Sequence, residues 1–153
     1  MTARSRLITW FDGLWMPPAG PQPAGEQAAT GRLGERAAAW HLLWRGHRLL
    51  AANVMMAHGE IDLVTEHQGM CVFVEVKTRR ATEDGTLERD PAEAVNAAKR
   101  SRMRAAARQF LDLYEPVTFP HRFDVVAVRV EASGRARVLH HRRAIMPALT
   151  APE

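Results

Sequence analysis

Residues Gly59 to Arg79 read GEIDLVTEHQGMCVFVEVKTR, two apolar runs joined by a short polar turn. Ile61, Leu63 and Val64 form one run and Val72 to Val76 the other, with the β-branched content of strands, and His67-Gln68-Gly69-Met70 between them contains a glycine. A two-residue loop at Gln68-Gly69 fixes the register of the hairpin. It sets Glu66 opposite Cys71, Val64 opposite Phe73, Asp62 opposite Glu75 and Glu60 opposite Lys77. Directly opposed residues share one face, with Cβ atoms about 4.5–5.5 Å apart, so the register predicts two carboxylates side by side. Like charges so placed need compensation. A divalent cation provides it, and Mg2+ is typically held by one or two carboxylates plus phosphate oxygens. Lys77, two residues past Glu75, falls on the same face, where its ammonium can neutralise the site or orient a water. Glu60 is expected to serve as the ion partner of Lys77.

Around this hairpin the chain of 153 residues is 46% hydrophobic and 25% charged, which suits one compact domain with a sizeable core. The single cysteine, Cys71, excludes an internal disulfide and a cysteine-rich zinc site, and points to a reducing, cytoplasmic location. The net charge of +4 is uneven: residues 1–96 carry 10 Lys and Arg against 12 Asp and Glu, residues 97–153 carry 11 against 5. A basic second half is what a polyanion-binding face requires, although a charge run by itself is more often a solvated surface. Arginine outnumbers lysine 19 to 2, and the two lysines are Lys77 and Lys99. Lysine in so arginine-rich a chain hints at positions where a compact charge matters.

Residues 1–29 read as an N-terminal extension and linker. Leu7, Trp10, Phe11, Leu14 and Trp15 lie at helical spacing, Asp12 interrupts any signal-peptide core, the stretch is too short to span a bilayer, and Pro17 to Ala29 is a Pro, Ala and Gly linker. A first helix is predicted over Gly31 to Arg45, with Thr30 as its cap, Gly46 just past its end and Leu33, Ala37, Trp40 and Trp44 as its apolar stripe. Glu35 in its first turn either complements the helix dipole or aims at the hairpin site. His47 to Asn53 forms the first strand. Thr78 to Asp90 is a polar loop suited to a lid, and Asp90-Pro91 opens a second helix running to about Tyr114. On that helix Val95, Lys99, Met103, Ala106 and Phe110 share the inward face, while Arg100, Arg104 and Arg108 form a stripe that suits phosphate contacts or is simply the wet side. Arg122 to Val130 is a strand, Ala132-Ser133-Gly134 a turn, and Ala136 to His140 an edge strand on which His140 and His141 face opposite ways and make a poor metal pair.

The ordered set of Gly34-Glu35, GEIDLV at 59–64, FVEVKTR at 73–79, Ala94-Val95 with Lys99, and RFDVVAV at 122–128 resembles the YraN family of the PD-(D/E)XK nuclease superfamily, over residues 31–147. The resemblance implies an α/β, restriction-endonuclease-like αβββαβ core, a central mixed sheet flanked by helices, similar to Holliday junction resolvases. It implies Asp62 and Glu75 as ligands of Mg2+ or Mn2+, Lys77 as the residue that positions or activates the attacking water, and Glu35 as a helical supplement to the site. One departure is visible: Asn53 is followed by Val54 and Met55, where the family commonly has an aromatic residue and an arginine.

The organisation expected is thus an extension over 1–29, an endonuclease-like domain over 30–147 and a tail over 148–153. The leading function is metal-dependent hydrolysis of phosphodiester bonds in DNA, branched or damaged, by Glu35, Asp62, Glu75 and Lys77, with Lys99, Arg100, Arg104 and Arg108 on the nucleic acid. The alternative is a nucleic-acid-binding accessory of DNA maintenance or uptake without turnover. Resolvase-like folds also imply a homodimer, for which no interface is legible in the sequence.

Overall fold

A computed structural model describes residues 25–81, 96–114 and 120–142. Its elements are α1 (Glu26–Trp44), β1 (Arg48–Met56), β2 (Gly59–His67), β3 (Met70–Arg80), α2 (Ala97–Tyr114), β4 (His121–Val130) and β5 (Ala136–His141). The strands form one sheet in the order β1-β2-β3-β4-β5, in which β3 and β4 run parallel and the other neighbours antiparallel. The fold is the α/β, restriction-endonuclease-like αβββαβ core with a mixed sheet, extended by β5 as an edge strand. The segment Leu7 to Trp15, the remainder of the linker to Ala24, the loop beyond Ala81, the Asp90-Pro91 helix start, the connector after Tyr114 and the tail lie outside the described residues.

The hairpin turns as its residues dictate. Gln68 (φ 51°) and Gly69 (φ 78°) both take positive φ, as a two-residue turn between right-twisted strands requires, and β2 pairs with β3 from His67↔Met70 to Leu63↔Val74. The predicted register therefore holds through Val64↔Phe73 and Glu66↔Cys71, but the ladder ends at Leu63↔Val74, short of the expected pairs Asp62 with Glu75 and Glu60 with Lys77. Toward the site, the Val76 N–H donates to Asp62 Oδ2 at 2.7 Å, so a carboxylate takes the place of a carbonyl acceptor. Glu60 differs from expectation: it pairs with Met55 on β1, is exposed, and leaves Lys77 to Glu75.

The three central strands are buried on both faces. Against one face α2 packs Met103, Ala106, Ala107, Phe110 and Leu111 onto Ile61, Val64, Phe73, Phe123 and Val125. Against the other, α1 packs Ala38 and Leu42 onto Leu63, Val72, Val74, Val126 and Val128. The α1 contact overturns the predicted stripe. Gly34, Ala38 and Leu42 face the sheet, whereas Trp40 is 57% and Trp44 85% exposed. The cause is close approach: a Cβ on Gly34 would lie 2.7 Å from Thr78 Cβ and Cγ2, so the ridge of small residues, not that of large ones, can sit on β3.

The helix ends also have local causes. α1 starts at Glu26, five residues before the predicted Gly31, and Thr30 donates its hydroxyl back to the Glu26 carbonyl (2.9 Å) instead of capping. At its far end Gly46 (φ 81°) donates to the Leu43 carbonyl and His47 to the Leu42 carbonyl, both at 3.0 Å, the paired bonds of a Schellman stop. The described part of α2 begins under an Asn96 cap whose Oδ1 accepts the Lys99 N–H at 2.9 Å. None of the described helices is long and apolar enough to cross a membrane.

Candidate active site

Three elements bring the charged residues together. β2 carries Asp62, β3 carries Glu75 and Lys77, and the first turn of α2 carries Lys99; with Glu35 from α1 they line one cleft of about 760 Å3, whose other walls include Thr30 and Gly31 of α1 and Thr78 to Arg80 of β3. Arg80 is tied across this wall, its guanidinium donating to Thr30 Oγ1 at 3.2 and 3.3 Å and lying 3.3 Å from Glu26 Oε1. Alternation on β3 explains the pairing of Glu75 with Lys77, since residues two apart share a face. It also explains why Glu75 is buried: it continues the Cys71 and Phe73 row that α2 covers.

Glu75 is 2% exposed and carries an ammonium on each oxygen, Lys77 Nζ at 2.7 Å from Oε1 and Lys99 Nζ at 3.3 Å from Oε2. A carboxylate buried to that degree persists only when paired. Asp62 is pushed up to about 7, first by burial and then by the Glu75 charge, against the Val76 N–H and Lys99, which favour ionisation. The Glu75 charge thus disfavours ionisation of Asp62 even with Lys99 nearby. Glu35 is likewise raised, chiefly by burial and also by Glu60, while its hydrogen bond to the Asn53 side chain and nearby Arg32 act the other way. Asn53 adopts φ 51° within β1, a backbone conformation that non-glycine residues rarely take.

The donor set fits a hard divalent cation. Asp62 and Glu75 offer carboxylate oxygens, and Glu75 Oε2 is a buried acceptor without a hydrogen bond. Among the described residues no three His, Cys, Asp or Glu side chains stand ready to hold a metal ion, so a cation here would complete its shell with water or substrate oxygens. Of the remaining predicted site residues, Arg100, Arg104 and Arg108 are not among the described residues lining the cleft; they lie along α2, exposed at 100 and 108 and half-buried at 104.

Sequence reasoning missed a second buried polar group, on the face of the sheet that α1 covers, with Asp124 paired to Val74 next to Glu75. Asp124 is fully buried on β4, where it accepts from Arg122 Nε (3.1 and 3.2 Å) and meets His140 Nε2 at 2.8 Å. Arg122 Nη2 reaches His67 Nδ1 at 3.4 Å, His67 stacks on His47 with ring centroids 4.1 Å apart, and His47 Nδ1 bonds Thr65 Oγ1 at 2.9 Å. The signal was present in RFDVVAV, where Arg122 and Asp124 interrupt an apolar strand just as Asp62 and Glu75 do. With its polar atoms largely turned on one another beneath the end of α1, this cluster reads as a structural network.

Comparison with known proteins agrees with the order of motifs along the chain. The model of "Uncharacterised protein family UPF0102" matches residues 34–128. A UPF0102 protein of Symbiobacterium thermophilum is 46% identical over 108 residues, covering 71% of this chain and 88% of its own. One of Roseiflexus castenholzii is 40% identical over 118 residues (76% and 92%), and one of Clavibacter michiganensis 43% over 108 (71% and 88%). The matched span runs from the Gly34-Glu35 pair through Asp62, Glu75, Lys77 and Lys99 into β4, and the chain belongs to the UPF0102 family, the group that the resemblance to YraN singled out.

Proposed function

We propose that this protein is a Mg2+- or Mn2+-dependent endonuclease-like hydrolase of phosphodiester bonds in DNA. The observation that supports the reading most is the cleft in which Asp62 and Glu75 lie close enough for one to raise the other's pKa, with Lys77 and Lys99 beside them. Asp62 and Glu75 would hold the cation, which when bound supplies charge neutralisation at the phosphate and activation of a water. Lys77, on the same face as Glu75, orients that water and stabilises charge developing on the attacked phosphate. Glu35, entering from α1 with its carboxyl raised, stands at the cleft wall to accept or relay a proton. Arg100, Arg104 and Arg108 give backbone affinity without reading sequence. A homodimer would bring two such clefts to a branched or duplex substrate, one for each strand.

A non-catalytic nucleic-acid-binding role is favoured by one feature, the 11 Lys and Arg against 5 Asp and Glu of residues 97–153. One experiment separates the two. Branched, nicked and linear DNA are incubated with Mn2+ and either the wild type or Asp62→Ala. Cleavage by the wild type that falls to background in the variant is the expected result. Equal cleavage by both marks a contaminant and removes the nuclease reading, and tight binding by both without cleavage assigns the accessory role.

A further inference from the structure

The chain has two lysines, and both contact the same glutamate. They contact it differently. Lys77 meets Oε1 at hydrogen-bonding distance from two residues along the same strand, whereas Lys99 reaches Oε2 from another element at 3.3 Å, and Oε2 has no hydrogen bond. Lys99 is also 31% exposed and lines the cleft, while Glu75 is 2% exposed. Its backbone is fixed by the Asn96 cap, so its ammonium can leave Glu75 by side-chain rotation alone, with α2 in place.

We propose that Lys99 is an exchangeable counter-ion: it neutralises Glu75 Oε2 in the metal-free protein, yields that oxygen to an incoming divalent cation, and then contacts a phosphate oxygen of the bound nucleic acid. The proposal rests on the metal-dependent reading above. With Asp62 ionised, Asp62, Glu75, Lys77 and Lys99 sum to zero, so a dication arriving among them adds two positive charges that Glu35 and the substrate phosphate are left to offset. Moving Lys99 off Glu75 frees a ligand oxygen, relieves cation–cation repulsion and presents the surplus charge to the phosphate. Lysine suits this exchange because its ammonium is a point charge on a flexible stem; an arginine, with its planar fork, would bind the carboxylate bidentately and hold on. In a chain with 19 arginines, lysine at this position is then a functional choice.

The test measures Mn2+ binding to the metal-stripped full-length protein by titration calorimetry at pH 8, above the Asp62 value of about 7, with thermal melting as the control for folding. Lys99→Met keeps the stem and removes the competing charge. It is expected to bind Mn2+ roughly tenfold more tightly than wild type, while its DNA affinity in Ca2+ falls and its salt dependence loses about one phosphate contact. Lys99→Arg is expected to bind Mn2+ more weakly than wild type. Unchanged or weaker Mn2+ binding by Lys99→Met, with the wild type binding normally, overturns the exchange and leaves the metal site standing. A folded wild type that binds no Mn2+ overturns the metal-dependent reading and the exchange with it.

Discussion

Asp62 is where burial and charge conflict most openly, and the conflict has a sign that can be measured. Its carboxyl holds a proton up to about 7 in the folded protein against an ordinary value of 3.8. The folded state therefore binds more protons between those values, and the stability this group contributes is present below 3.8 and lost as the pH rises through about 7. Above that pH an ionised Asp62 beside Glu75 is a cost, on the order of 2–4 kcal/mol without a bound cation. Asp62→Asn, which can still accept from the Val76 N–H, is expected to melt several degrees above wild type at pH 8, with the gap narrowing as the pH falls toward 4. The variant also isolates the histidines. His47 is lowered to about 3 by burial, then by its neighbours His67, Arg122 and His140, and His67 and His41 are lowered as well. A His that stays neutral when folded contributes stability above the usual 6.5 that is lost as the pH falls toward 3, so Asp62→Asn should lose stability steadily below pH 6.5. Constant melting temperatures from pH 8 to 4 in both proteins contradict this account.

At the scale of elements, the position of α1 depends on one glycine. Gly34 permits the helix to touch Thr78 on β3, itself part of the cleft wall, and the following residue is Glu35. Helix propensity alone says that Ala is better than Gly by roughly 1 kcal/mol inside a helix. Gly31, with nothing within 4 Å of an added Cβ, should follow that rule, and Gly31→Ala is expected to raise stability by about 0.5–1 kcal/mol. Gly34→Ala should do the reverse, losing about 1–3 kcal/mol through overpacking and shifting Glu35 away from the cleft. Urea unfolding of the two variants checks this; equal stabilisation by both would show that α1 does not need its close seat on β3. The same comparison explains the mistaken stripe on α1. Helical spacing alone marks Leu33, Trp40 and Trp44 as a core face because they are large and apolar, but at a tight helix–sheet contact the buried ridge is the one with the least volume.

For the whole molecule the decisive property is the separation of charge. Glu35, Asp62, Glu75, Lys77 and Lys99 are concentrated in one cleft, the Arg122, Asp124 and histidine network is buried on the α1 side of the sheet, and Arg100, Arg104 and Arg108 lie along α2. If those arginines grip a backbone, replacing Arg100, Arg104 and Arg108 together with Gln should weaken binding uniformly across DNA sequences and flatten the log K against log salt slope by about two to three. Fluorescence anisotropy at several salt concentrations measures it, and an unchanged slope would return the stripe to the role of a solvated face.

How much of this was legible follows from the range of the forces involved. The hairpin register from the turn to Leu63↔Val74, the turn at Gln68-Gly69, the shared face of Glu75 and Lys77, and the Gly46 stop are set within a few residues by alternation, φ preferences and terminal hydrogen bonds, and the sequence determined them unaided. Other features needed atoms from distant parts of the chain: the face α1 turns to the sheet, the exposure of Trp40 and Trp44, the removal of Glu60 from Lys77, and the burial of Asp124 among histidines from three other segments. The convergence of Lys77 and Lys99 on Glu75 belongs to both. Alternation brings Lys77 within reach, whereas Lys99 arrives through the packing of α2 against the sheet, because side-chain volumes and a buried charge in search of a partner are settled only when separate elements meet.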